Sequence, residues 1–95
     1  MSDVIDAAVK ALSAKMTGSF DGVAKFVITG EGALMIDPSG VRAGDDAADV
    51  TLTADTETFK AIIDGDLNPT MAFMSGKLAI DGNMGLAMQL GSALS

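Results

Sequence analysis

The spacing of apolar positions changes along the first third of the chain from a helical period to a strand period. Residues 3–16 repeat an apolar side chain every three or four positions, which predicts an amphipathic helix packed on a sheet. Its apolar stripe is formed by Val4, Ala8, Leu12 and Met16, with Ile5 and Val9 beside it. Residues 20–29 alternate with a period of two, so we expect a strand there with Ala24, Phe26 and Ile28 on one face.

Turn signals divide the next segment into short strands. Gly30-Glu31-Gly32 follows the first strand, and Asp37-Pro38-Ser39-Gly40 has the residues that a type I turn favours. An acidic loop over residues 44–48 precedes a segment in which Val50 and Leu52 face inward and threonines face outward. We therefore expect three further strands, over residues 33–37, 40–43 and 49–54.

The second half of the chain begins with two helix-start signals. Asp55 can cap a helix that Gly65 closes, and Asn68-Pro69 can begin a shorter one. The buried side of the first of these helices is expected to be Phe59, Ile62 and Ile63.

The closing segment combines a short helix, a short strand and a final helix. Gly76 ends the short helix after about one turn, into which three large apolar side chains are crowded: Met71, Phe73 and Met74. Residues 77–81 then alternate as a strand, and its apolar face is formed by Leu78 and Ile80. Asn83 can cap the final helix, which begins at Met84.

This closing segment carries a family resemblance. Residues 69–87 read Pro-Thr-Met-Ala-Phe-Met-Ser-Gly-Lys-Leu-Ala-Ile-Asp-Gly-Asn-Met-Gly-Leu-Ala, and the run resembles the end of the sterol carrier protein family, the non-specific lipid-transfer type. Residues 48–55 are similar to the strand that runs into the middle helix of that family, whereas the residues upstream agree only in the order of elements. The resemblance implies a small curved sheet with helices that enclose a tunnel for sterols, fatty acyl chains and other apolar molecules.

Composition disfavours several classes of partner. The 95 residues make one domain, residues 1–95. A net charge of −7 disfavours binding to nucleic acid and to anionic membranes, and no apolar run approaches the ~20 residues needed to cross a bilayer, so we expect no stable membrane insertion. The chain has no cysteine and begins with acidic residues, which predicts a cytoplasmic protein without disulfides.

The sequence offers little for catalysis or metal binding. With no His and no Cys, the commonest acid–base and nucleophilic side chains are missing, and Ser75-Gly76-Lys77 has the wrong spacing for a Ser–Lys pair. Asp45, Asp46 and Asp49 lack the spacing of a calcium loop and are interpreted as a solvated loop. We therefore expect that the protein is not an enzyme and binds no cofactor and no metal. A reaction catalysed by carboxylates alone is kept as a hypothesis that ranks behind the two given below.

The final helix has more apolar surface than an isolated core needs. Leu86, Leu90 and Leu94 form one row, and Met84 and Met88 form another about 160–200° around the axis. Burying both rows requires a ligand, a protein partner or a second copy of the chain. Methionine suits an apolar surface that adapts to different shapes, although the same methionines can simply fill a core.

We therefore predict an α+β domain with a curved, mostly antiparallel five-stranded sheet and helices covering one face, in the order α-β-β-β-β-α-α-β-α that the resemblance implies. Its expected function is the non-catalytic binding and transfer of lipids (sterols, fatty acids, acyl-CoA or similar apolar molecules) in an internal cavity with the last helix as a movable wall. The alternative is a module whose apolar C-terminal helix forms a homodimer or binds another protein. The residues expected to line the cavity, which are also the predicted core, are Phe26, Ile28, Leu34, Ile36, Val50, Leu52, Phe59, Ile63, Met71, Met74, Leu78, Ile80, Met84 and Met88.

Overall fold

The structure, a computed structural model, describes residues 3–15, 20 and 22–94, and the side chains of these residues up to 92. Helices and strands follow one another in the order expected from the sequence. Their bounds are α1 Asp3–Lys15, β1 Ala24–Ile28, β2 Gly32–Asp37, β3 Gly40–Ala43, β4 Val50–Ala54, α2 Thr56–Asp64, α3 Pro69–Met74, β5 Ala79–Gly82 and α4 Met84–Leu94.

The strands form one mixed sheet in the order β3-β2-β1-β4-β5. β1 lies at the centre, where Phe26 is opposite Leu34 of β2 on one side and Leu52 of β4 on the other. The pairs β1–β2, β2–β3 and β4–β5 are antiparallel, so the mostly antiparallel sheet is confirmed. The pair β1–β4 is parallel, because the chain passes from the β3 edge to the other side of β1 before β4 begins.

The helices cover one face of the sheet and bury its apolar residues. The strand alternation is confirmed, since β1 and β4 both bury every second side chain. The rings of Phe26 in β1 and Phe59 in α2 meet edge to face, with centroids 4.7 Å apart, at the middle of this layer. The helical side chains buried against the sheet include Ile5, Ala8, Leu12, Ile62, Ala87 and Leu90.

The loop between β3 and β4 lies across the opposite face of the sheet. The side chain of Lys25 donates a hydrogen bond to Asp45 at 2.8 Å, which ties the loop to the central strand. A Cβ added at Gly44 would lie 3.2 Å from Cγ of Met35, so the loop backbone lies directly against that side chain. Met35 is fully buried as a result, although it points away from the main core.

Two acids of the loop, Asp45 and Asp46, are exposed, Asp37 of β2 is half-buried, and each interacts with a basic side chain. Asp45 and Asp46 are largely solvent-accessible, as expected for a solvated loop, and Asp46 lies 3.7 Å from Arg42. The Arg42 guanidinium also donates to Asp37, and this hydrogen bond lowers the pKa of Asp37. Within the described residues, no group of three or more His, Cys, Asp or Glu side chains could hold a metal ion.

Several element boundaries differ from the sequence-based expectation. β1 begins at Ala24 rather than at Phe20, which is buried outside the strand. The buried row of α1 runs through Ile5, Ala8 and Leu12, whereas Val4 is only half-buried. Met16, which the sequence places in the apolar stripe of this helix, lies outside the described residues.

The last strand also begins later than expected, at Ala79 rather than at Lys77. The backbone N–H groups of Lys77 and Leu78 both donate to the carbonyl of Ala72, at 2.9 and 3.1 Å. These bonds hold residues 77 and 78 against the end of α3, so the sheet pairing starts only after them. Leu78 is nevertheless buried, as the apolar pattern of this segment predicts.

Candidate functional site

The short helix α3 presents large apolar side chains to solvent. Asn68 caps it, its side-chain oxygen accepting a hydrogen bond from the Thr70 N–H at 2.8 Å, and Pro69 occupies the first turn. Pro69 and Ala72 are buried toward the rest of the domain. The helix has six residues, which is less than two turns, so only a few of its side chains can face the domain. Its other apolar side chains are exposed: Met71, Phe73 and Met74.

The final helix α4 is apolar on both its buried and its exposed side. Asn83 caps it by accepting a hydrogen bond from the Leu86 N–H at 3.1 Å. Ala87 and Leu90 are buried and Leu86 is half-buried, whereas Met84 and Met88 are 45% and 73% exposed. Of the two predicted rows, the leucine row therefore faces the domain and the methionine row does not, while the side chain of Leu94 lies outside the described residues.

The exposed sides of α3 and α4 enclose a surface groove with a volume of about 280 Å³. We call it the α3–α4 groove. Leu52 and Ile80, which are paired across β4 and β5, contribute to it from the sheet together with Leu78. The helices contribute Pro69, Thr70, Phe73, Met74, Met84, Ala87, Met88 and Gly91.

The chemistry of the α3–α4 groove is that of an apolar surface. Its described lining contains no ionisable side chain, and the hydroxyl of Thr70 is the one polar side-chain group in it. Such a surface binds by removing hydrocarbon from water, without a charged group to orient the guest. The volume lies slightly below the about 300–1,000 Å³ typical of ligand pockets, so a long guest requires the flexible methionine side chains to move apart.

A second groove, of about 360 Å³, lies between α1 and α2. Alanines line much of its wall, and its lining includes the charged residues Asp3, Lys60 and Asp64. The α3–α4 groove is smaller, but it collects large exposed apolar side chains, among them Met74 and Met88 at 76% and 73% exposure. Apolar surface left in water is the better indicator of a binding site for an apolar guest, so we favour the α3–α4 groove.

The structure distributes the fourteen expected cavity residues over two grooves, the core and the exposed surface. Those in the α3–α4 groove are Leu52, Met74, Leu78, Ile80, Met84 and Met88. The core cluster contains Leu52, Phe59 and Leu78, which also line a groove, and five residues that line neither groove: Phe26, Ile28, Leu34, Ile36 and Val50. Phe59 and Ile63 contribute to the α1–α2 groove, and Met71 is 60% exposed outside both grooves.

Sequence reasoning overlooked five residues that line the α3–α4 groove: Pro69, Thr70, Phe73, Ala87 and Gly91. Helical spacing could have found most of them. Phe73 lies four positions after Pro69, and Gly91 lies three positions after Met88, so each pair shares a helix face. The small residues Ala87 and Gly91 gave no signal of their own, because their role is to leave space.

No helix in the described part of the chain is long and apolar enough to span a membrane. The five-stranded sheet with helices on one face is the fold of a lipid-binding domain of the sterol-carrier type. The chain belongs to the SCP-2 sterol transfer family, which it matches over residues 4–95. The family resemblance seen in the closing segment is thereby confirmed.

Solved structures of this family share the fold. The solution structure of sterol carrier protein 2 from Aedes aegypti in complex with palmitate, a C16 fatty acid, has a TM-score of 0.79 and 25% sequence identity, covering 100% of this chain and 97% of that one. The sterol carrier protein domain 2 of Helicoverpa armigera has a TM-score of 0.68 and 32% identity, over 95% of this chain and 81% of that one. The α+β architecture expected from the sequence is therefore confirmed.

Curated relatives are larger proteins. Hydroxysteroid dehydrogenase-like protein 2 of Danio rerio is 42% identical over 83% of this chain and 21% of its own length. The protein of the same name from Xenopus laevis is 36% identical over 95% of this chain and 24% of its own length. The chain thus spans about a fifth to a quarter of the length of these relatives.

Proposed function

We propose that this domain binds and carries a lipid, such as a fatty acid, a sterol or an acyl-CoA, in the α3–α4 groove without catalysing a reaction on it. The proposal is carried by one groove on which four large apolar side chains converge and whose described lining has no ionisable residue: Phe73, Met74, Met84 and Met88. The palmitate in the related Aedes aegypti structure supports the choice of ligand class.

The binding free energy would come from hydrocarbon burial. At about 25 cal/mol per Å² of apolar surface removed from water, affinity grows with the length of the buried chain. Among the described residues that line the groove, Thr70 is the one whose side chain can exchange a hydrogen bond with a ligand headgroup. Selectivity would therefore be low and set by shape, and the unbranched methionines would adapt to guests of different outline.

The available side chains support a non-catalytic role. The chain has no His and no Cys, and the described lining of the groove offers no carboxylate or amine to transfer a proton. The curated relatives are named as dehydrogenase-like, and this chain corresponds to about a fifth of their length. In a larger protein, the domain would present or store an apolar molecule for chemistry performed elsewhere. Its cytoplasmic location stays a prediction.

The proposal is tested by lipid extraction and native mass spectrometry of the purified protein, followed by displacement of a fluorescent fatty acid. Met88→Asp places a charge in the groove, and burying it would weaken fatty acid binding at least about tenfold. Met71→Asp is the matched control, because Met71 is 60% exposed on α3 but does not line the groove. Failure to detect any bound or displaceable lipid, or equal losses in both variants, would contradict the proposal.

The second candidate function is self-association or protein binding through the same exposed face. It is favoured by the exposure of Met84 and Met88 on a helix without a charged residue from Met84 to Leu94. Light scattering at high protein concentration separates the two candidates. A monomer that binds fatty acid favours the carrier function, whereas a dimer that Met88→Asp dissociates and that binds no lipid favours the interaction module.

A further inference from the structure

Methionine is the oxidisable side chain of this protein, because the chain contains seven methionines and no cysteine. The described methionines differ sharply in accessibility. Met74, Met84 and Met88 are 76%, 45% and 73% exposed and line the α3–α4 groove. Met71 is equally accessible but lies outside the groove, and Met35 is fully buried beneath the β3–β4 loop.

The chemistry available to these thioethers is oxygen transfer from a peroxide. A sulfur lone pair attacks one oxygen of hydrogen peroxide, the O–O bond breaks and an S–O bond forms. The proton on the transferred oxygen passes to the departing hydroxide, which leaves as water. Sulfur loses two electrons and the peroxide gains them, and the product is methionine sulfoxide, a polar side chain that reductases return to methionine.

We propose that Met74, Met84 and Met88 form an oxidation-sensitive site that closes the α3–α4 groove to lipids. The inference rests on the proposed function, since it assigns a regulation to the same groove. Each sulfoxide oxygen is a strong acceptor, and in the described lining of the groove the one side-chain donor is the Thr70 hydroxyl. A lipid that covers three sulfoxides would strip them of water without replacing their hydrogen bonds, so binding is lost.

The proposal predicts a reciprocal effect of the lipid on oxidation. A guest that occupies the groove shields the three lining sulfurs from peroxide, whereas Met71 keeps its access to solvent. Met35 stays slow in both states, because peroxide reaches it only when the loop opens. Peptide mass spectrometry after timed exposure to hydrogen peroxide, with and without palmitate, measures each methionine separately. Palmitate is expected to slow oxidation at least about fivefold in the groove and not at Met71.

The consequence for binding is tested with the fluorescent fatty acid on oxidised and untreated protein. Oxidation is expected to weaken binding about tenfold or more in the wild type. The triple variant Met74→Leu, Met84→Leu, Met88→Leu removes the three lining sulfurs, so whatever affinity it has before treatment is expected not to fall after the same treatment. Met71→Leu is the control variant and stays sensitive. Treatment with methionine sulfoxide reductase restores binding to the oxidised wild type.

The outcomes separate this inference from the proposed function. If the untreated protein binds no fatty acid, the proposed function fails and the inference fails with it. If untreated protein binds and full oxidation of the three groove methionines leaves affinity unchanged, the inference alone is overturned. A loss of binding that also occurs in the triple leucine variant, with a changed circular dichroism spectrum, would place the effect at methionines other than these three and overturn the inference as well.

Discussion

At Gly82 the backbone leaves no room for a side chain. Its φ is +108°, and an added Cβ would lie 2.5 Å from the carbonyl oxygen of Asp49. The next residue, Asn83, donates its N–H to the same carbonyl at 2.9 Å and then caps α4. A single glycine thus joins the last strand to the helix that forms one wall of the groove.

We expect Gly82→Ala to destabilise the protein by about 1–3 kcal/mol, because a side chain there is both strained and in collision with backbone. The control is Gly76→Ala, where φ is +80° but no atom lies within 4 Å of the added Cβ, so it carries the conformational cost alone. Urea unfolding of both variants measures the difference. Equal free energies of unfolding in the two variants would show that the close approach to Asp49 is unimportant.

At the scale of the element, α2 begins with a charge-assisted cap. The Asp55 carboxylate accepts the Thr58 N–H at 2.7 Å, and this backbone hydrogen bond lowers the pKa of Asp55. Gly65, with φ +83°, closes the other end of the helix, as the sequence predicts. Between the two caps, α2 buries Phe59 and Ile62 against the sheet.

A lowered pKa in the folded state makes the cap dependent on pH. Its contribution to stability is present above the ordinary carboxyl pKa of 3.8 and is lost as pH falls below that value through the folded pKa. Asp55→Asn retains an acceptor for the Thr58 N–H without a titrating group. The melting temperature of the wild type should therefore fall more steeply than that of Asp55→Asn as pH is lowered from 4 toward 2. If the melting temperatures of the two proteins fall equally with pH, the Asp55 cap does not contribute to the acid sensitivity of the fold.

At the scale of the whole molecule, the groove depends on two helices that are brought together by strand β5. Gly91 of α4 faces Pro69 of α3. A Cβ added at Gly91 would lie 3.7 Å from the Cβ of Pro69, which is an ordinary contact distance. The space beside Gly91 belongs to the groove, so this glycine keeps the groove open between the two helices.

Filling that space should block the groove without unfolding the domain. Gly91→Leu is expected to weaken fatty acid binding about tenfold, while the added helix propensity, worth up to about 1 kcal/mol, offsets part of any packing cost. Ser92→Leu is the matched control, because Ser92 is the exposed neighbour and does not line the groove. Fluorescent fatty acid titration, with thermal unfolding as the folding check, distinguishes them. A Gly91→Leu protein that is folded and binds normally would place the ligand elsewhere.

The elements of this fold were accessible from the sequence because their signals act over a few residues. Asn68 with Pro69 begins α3, Asp55 with Gly65 bounds α2, and Asn83 begins α4, each through contacts within four positions. The buried alternation of β1 and β4 follows from the two-residue period in the same local way. Alternation and turn signals supplied the number of strands, whereas the family resemblance supplied their arrangement in one curved sheet.

The sequence determined by itself which segments become helices and strands, where most of them end, and that α4 has apolar residues on opposite sides. Only the tertiary structure decided that β4 pairs in parallel with β1, that Met35 is covered by a distant loop, and that Phe26 fills the core while Met88 borders a groove. The physical reason is that burial depends on contacts between residues far apart in the chain. The spacing of apolar residues along the sequence is the same whether their side chains are covered by the protein itself or by a guest molecule.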